Sequence, residues 1–207
     1  MANAERLSPI SVENYLAGEQ RARLKHEYVA GMIYAMAGGT YAHSLVASNV
    51  LGELHAQLKG KPCRALNSDS KVRIQLGTQT RFYYPDASIV CGENLLDGVF
   101  QDKPTAIVEV LSETTRRTDE GEKLEAYQKI STLNAYLMFE PGFVGVVVYR
   151  RNGNMFQREV YSDLAAVIPL PEIDAELRLA SVYDEVNFVA ETEATAWNPK
   201  KQQAEHE

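Results

Sequence analysis

Apolar residues recur along the chain at two spacings, and the switches between them mark out its elements. Ser11 stands where a helix N-cap is expected, flanked by Ile10 and Tyr15 in the positions of a hydrophobic staple, and the short helix that follows should stop near Gly18. Residues 25–29 and 32–36 read as a β-hairpin closed at Gly31. After Gly38-Gly39, Thr40 is placed to cap a helix running to about Lys59, in which Val46, Val50, Leu54 and Leu58 form an i, i+4 stripe.

Beyond Gly60 the period falls to two. Val72, Ile74 and Leu76 alternate with Lys71, Arg73 and Gln75, the mark of a half-buried strand. A turn at 77–80 leads into a second strand, 81–91, interrupted at Pro85-Asp86. The run 106–111 is apolar on both faces except for Glu109, as in a central strand. Thr118 can cap a helix through Ile130. Residues 135–139 and 144–149 form a hairpin across Pro141-Gly142, and Asn152-Gly153 reads as a type I′ turn into a strand at 155–161. Leu177 and Leu179 suggest a last short strand, and 182–188 a closing helix. This order predicts a mixed α/β fold: one curved mixed β-sheet flanked by helices, with an N-terminal helix and hairpin, in a single domain over 1–190. Residues 191–207, polar apart from Trp197, are expected to be a disordered tail.

Composition narrows the function classes. With 21 basic and 28 acidic side chains the 207 residues carry a formal net charge of −7, which argues against coating nucleic acid through bulk charge but leaves room for a local basic groove. No apolar run approaches the roughly 18 residues that span a bilayer, and the first residues lack a signal-peptide core. Cys63 and Cys91 are too few for a disulfide framework and lack Cys-x-x-Cys spacing. A cytoplasmic, reducing location with no cysteine zinc site and no membrane association is therefore expected.

Three polar features stand out. Glu109 lies inside an apolar strand, where a carboxylate costs several kcal/mol unless it is paired, protonated or bound to metal. It either faces solvent at the strand end, pairs with a buried arginine, or does chemistry. Asp86 follows the proline that breaks the preceding strand; Pro-Asp is also a common turn, but two carboxylates on neighbouring strands make the hard oxygen environment that magnesium takes. Asp119, Lys123 and Tyr127 share one helix face. They form either an exposed i, i+4 ion pair or a lysine poised over the carboxylates.

Together, Pro85-Asp86, Ile107-Val108-Glu109-Val110-Leu111-Ser112, the Asp119, Lys123, Tyr127 set and Leu137-Met138-Phe139-Glu140-Pro141 resemble the Uma-type putative restriction endonuclease family, part of the PD-(D/E)XK nuclease superfamily. Glu27 with Tyr28, Gly31 and Tyr34 matches its N-terminal signature, as does His43. The resemblance spans about 11–188. It implies a restriction endonuclease-like fold in which Asp86 and Glu109 hold Mg2+ or Mn2+, Lys123 positions water or stabilises charge, and Glu27 is an extra ligand or orienting group. His43 and Tyr127 would support these from behind. Two departures stand beside the match. The superfamily's strand lysine is replaced by Leu111, with Lys123 on the next helix as the matching position, and Met32 stands where the family's hairpin often has glutamate.

Other features also have bland readings. His43 falls at the centre of the apolar stripe of its helix and so can be a core histidine; Tyr83 and Tyr84 could stack on bases or serve as ordinary strand residues; Ser112 fits a turn with Thr114 and Thr115. Arg116-Arg117 and 21–25 are the local basic clusters. The expectation is a metal-dependent endonuclease hydrolysing DNA phosphodiesters, acting as a homodimer. The alternative is a catalytically inactive nucleic-acid or protein-binding module retaining the nuclease fold.

Overall fold

The computed structural model describes residues 8–36, 38–92 and 97–188. Helix α1 (Val12–Glu19) begins at Ser11, whose side chain accepts from the Asn14 N–H, and buries Tyr15 against Tyr28 and Phe82 while Ile10 stays exposed. Strands β1 (His26–Val29) and β2 (Met32–Ala35) form the expected hairpin, closed by Ala30 and Gly31, both at positive φ. Helix α2 (Tyr41–Leu58) is capped by Thr40 and buries Val46, Val50, Leu54 and Leu58, as its stripe predicts.

Residues 81–91 depart from the single interrupted strand. Strands β4 (Val72–Leu76) and β5 (Gln79–Tyr83) join the hairpin in a four-stranded antiparallel sheet ordered β2-β1-β5-β4. After Pro85-Asp86 the chain enters a different sheet as β6 (Ala87–Cys91). There β6 lies between β3 (Cys63–Asn67), which the sequence pattern did not show, and β7 (Pro104–Val110). Strands β8 (Ala135–Phe139), β9 (Val146–Asn152) and β10 (Met155–Tyr161) complete a six-stranded sheet ordered β10-β9-β8-β7-β6-β3. The mixed α/β class with a curved mixed sheet stands, but the strands form two main sheets and a small hairpin of β11 (Val167–Leu170) and β12 (Ala175–Arg178).

Strands β7 and β8 are parallel, and parallel neighbours need a crossover. The segment expected as one helix over 118–130 supplies it in three parts: α3 (Arg116–Thr118), a π-helical turn (Asp119–Lys123) and α4 (Leu124–Tyr127). Its start is set by Ser112, whose hydroxyl accepts from the Thr115 N–H, rather than by a cap at Thr118. The closing helix also shifts, to α5 (Leu179–Val182). The β9–β10 turn is Gly153-Asn154 with positive φ at Gly153 alone, a glycine-first turn of the II′ kind instead of type I′. The tail expected at 191–207 lies outside the described residues.

Alternation along β7 fixes what each face meets. Ala106, Val108 and Val110 pack with the α2 stripe, whereas Ile107 packs with Tyr127, Tyr136 and Leu111 beneath the crossover. Glu109 therefore falls on the crossover face.

Candidate active site

Glu109 is buried, and neither bland reading holds: it faces neither solvent nor an arginine. Its Oε1 accepts from the Tyr127 hydroxyl at 3.2 Å and lies 3.4 Å from Lys123 Nζ. Burial pushes its carboxyl well above the usual range, with the Lys123 ammonium opposing and the Asp119, Asp86 and Glu27 carboxylates reinforcing the rise.

Lys123 is the hub. Its Nζ is 2.9 Å from Glu27 Oε1 on β1 and 3.1 Å from Asp119 Oδ1 in its own π turn. Burial disfavours the ammonium more than any single neighbour helps it, yet Glu109, Glu27 and Asp119 together hold its pKa well above the ordinary lysine value. Of the two readings of Asp119 and Lys123, the exposed ion pair fails: the pair is buried, with side chains 2% and 5% exposed. The π turn matters here, because an inserted residue re-aims a helix face and such turns concentrate at functional sites.

Asp86 sits where the chain changes sheets. Its Oδ2 accepts from the Val110 N–H at 2.7 Å, which fixes it against the end of β7, and lies 3.3 Å from His43 Nε2. His43 is in the first turn of α2, half-buried, and not in the middle of the apolar stripe. Contact with Asp86 raises its pKa against the effect of burial. A Cβ on Gly39 would stand 2.6 Å from His43 Nδ1, so this close approach requires glycine.

Glu27, Asp86, Glu109, Asp119, Lys123 and His43 line one cleft of about 220 Å³. The structure thus brings together the five predicted residues Asp86, Glu109, Lys123, Glu27 and His43, with Tyr127 behind Glu109. Sequence reasoning placed Asp119 on the correct helix face but missed it as a member of the cleft. It also passed over Glu19, whose Oε1 accepts from the Tyr84 hydroxyl at 3.0 Å; Tyr84 lines the cleft. Tyr83 is buried, with its hydroxyl on Glu122, and is not placed to stack on bases. Arg116 holds Glu140 through both guanidinium nitrogens at 2.6 Å. Ser112 serves the turn with Thr114 and Thr115, as expected.

Four carboxylates therefore face one ammonium and one imidazole. Glu27 Oε1 and Asp119 Oδ1 are buried and make no hydrogen bond of acceptable angle, although both lie at ion-pair distance from Lys123. Among the described residues no three His, Cys, Asp or Glu side chains form a ready-made metal cage. The donor set fits a cation of the magnesium kind, which takes one or two carboxylates and retains waters.

Away from the cleft, the structure corrects the reading of the cysteines. Cys63 and Cys91, cross-strand partners on β3 and β6, form a disulfide. No described helix is long and apolar enough to cross a membrane.

Comparison with known proteins places this geometry among relatives. Residues 12–181 match the model of the Uma2 family, described as "Putative restriction endonuclease". An uncharacterized Synechocystis protein, slr1290, is 36% identical over 144 residues, covering 69% of this chain and 75% of its own. A second, sll1609, is 25% identical over 148 residues, covering 70% and 82%. The crystal structure of a putative nuclease of DUF820 from Anabaena variabilis superposes with a TM-score of 0.67 at 19% identity, over 86% of this chain and all of that one. At that identity the likeness speaks to fold.

Proposed function

The chain belongs to the Uma2 family of putative restriction endonucleases, and on that premise we propose that it is a divalent-metal-dependent endonuclease cleaving phosphodiester bonds in DNA. The observation that carries this reading is the convergence of Glu109, Glu27 and Asp119 on Lys123, with Asp86 in the same cleft, from elements far apart in sequence. Burying carboxylates carries a desolvation cost that apolar residues of similar size would avoid, which favours a role for the cluster beyond packing.

Asp86 and Glu109 would hold Mg2+ or Mn2+, with Glu27 available as a further oxygen donor. When bound, the metal supplies Lewis-acid polarisation of the phosphoryl oxygen and a more acidic water. The Val110 N–H and His43 hold the Asp86 carboxylate in place, and Tyr127 does the same for Glu109. Lys123, kept charged by its three carboxylates, orients a water or balances charge developing on the phosphate. A symmetric dimer would let two such clefts cut two strands.

A second reading, a binding module without catalysis, draws on one observation: Lys123 itself occupies the space among the carboxylates and closes them into an ion-pair network. Cleavage of supercoiled and single-stranded DNA with Mg2+ or Mn2+, against EDTA, separates the two. Metal-dependent cutting by the parent, abolished in Asp86→Asn and Glu109→Gln, is the expected result; cutting that survives both substitutions overturns the assignment.

A further inference from the structure

A wider groove of about 580 Å³ opens off the cleft and shares Met36, Gly38, Gly39, His43 and Asp86 with it. One wall is the first turns of α2, which present Ser44, Ala47 and Ser48. The other includes the segment 23–25 leading into β1 and the end of β3, joined where Lys25 Nζ donates to the Ser68 carbonyl at 2.9 Å.

The groove departs from the acidic balance of the whole molecule. In a chain with 28 acidic and 21 basic residues its lining contains Arg23 and Lys25, and its one carboxylate is Asp86, at the shared mouth. Asp69 pairs with Lys25 at 2.6 Å from outside the lining, which leaves Arg23 the uncompensated cation; among the described residues it makes no ion pair. The remaining wall is hydroxyl, amide and small residues. Gly38, Gly39 and Ala47 let a ligand backbone come close, and Leu24, 64% exposed, offers an apolar surface to a flat ring.

We propose that this groove seats one nucleic-acid strand beside the scissile phosphodiester. Arg23 faces its phosphates with Lys25 beside it, Ser48 and Asn67 hydrogen-bond its backbone, and Leu24 contacts an unpaired base. The assignment deepens the nuclease reading and rests on it for the direction of the strand into the cleft. It uses local charge, since bulk charge would repel the substrate.

The test is fluorescence anisotropy in EDTA with a short labelled oligothymidine and with a labelled duplex of similar length, across a salt series. Arg23→Ala should weaken oligothymidine binding roughly three- to tenfold and lower the slope of log K against log salt by about 0.7, the single-strand value for one phosphate contact. Ser48→Glu, which sets a carboxylate in the groove on an exposed helix position, should weaken binding at least as much with an unchanged circular dichroism spectrum. Variants that keep the parent's affinity and slope overturn the groove, as does a parent that binds neither probe or prefers the duplex. Weakened variants in a parent that never cleaves DNA leave the groove standing and overturn the nuclease. Unaffected variants in a parent that cleaves with metal do the reverse.

Discussion

Lys123 Nζ lies 2.9 Å from Glu27 Oε1 and donates to Glu109 Oε1 at 3.4 Å, so the crossover lysine bridges the N-terminal hairpin and the central strand. Lys123→Ala would leave Glu27, Glu109 and Asp119 buried without their cation. Uncompensated buried charge of this kind costs about 3–5 kcal/mol. Urea denaturation at neutral pH in EDTA should show a loss of that size. Added Mg2+ should recover part of it by binding the folded state alone.

Lys71 makes the opposite case. It is buried, and its polar contact is the Tyr84 hydroxyl at 3.3 Å. Burial lowers its pKa, with Glu19 opposing. The unfolded chain then holds this proton up to about pH 10.4 while the folded chain has already released it, so stability rises with pH between the two values. Lys71→Met should remove that alkaline rise and stabilise the protein at neutral pH by about 1 kcal/mol, or ~2–4 °C in Tm for a chain of this size. Thermal melts at neutral and alkaline pH check both parts.

Gly31 closes the hairpin that carries Glu27. Its φ is +99°, and a Cβ there would stand 2.5 Å from Pro9 Cβ. Gly31→Ala therefore meets backbone strain and a clash at once, a cost of about 1–3 kcal/mol. Hydrogen exchange should show the β1–β2 amides opening faster than those of β7. If the proposed site is correct, cleavage should fall with them.

The disulfide joins residues 28 apart on the edge of the six-stranded sheet. Closing a loop of that length contributes about 2–4 kcal/mol in the chain-entropy account. Cys63→Ser should lower the denaturation midpoint by a corresponding amount, with no effect of added dithiothreitol on the variant and a matching loss on the parent. A free-thiol titration of the denatured parent that finds both cysteines reactive would remove the bond from the account.

Much of the fold was legible because its signals are local. The stripe and cap of α2, the β1–β2 turn and the apolar run of β7 each declare themselves within a few residues. Strand β3 did not, because Cys63-Arg64-Ala65-Leu66-Asn67 lies at a sheet edge and shows no strict alternation. The break at Pro85-Asp86 was visible, but nothing local says that the strands on either side join different sheets. For the site, Glu109 announced itself as a charge in an apolar run. Asp119 did not, since its burial comes from the packing of the crossover and its spacing to Lys123 is that of any exposed helical pair. The disulfide likewise depends on a register, Cys63 opposite Cys91, that only strand pairing creates.

The change of sheet at Pro85-Asp86 gives the cleft a mechanical character. Glu27 travels with the four-stranded sheet and Glu109 with the six-stranded one; Asp86 stands at the articulation, and Lys123 spans it. The spacing of the carboxylates therefore depends on how the two sheets are set against each other as well as on the strands themselves. If the proposed site is correct, the Asp86 link to Val110 and the reach of Lys123 to Glu27 set the positions of its carboxylates across that junction.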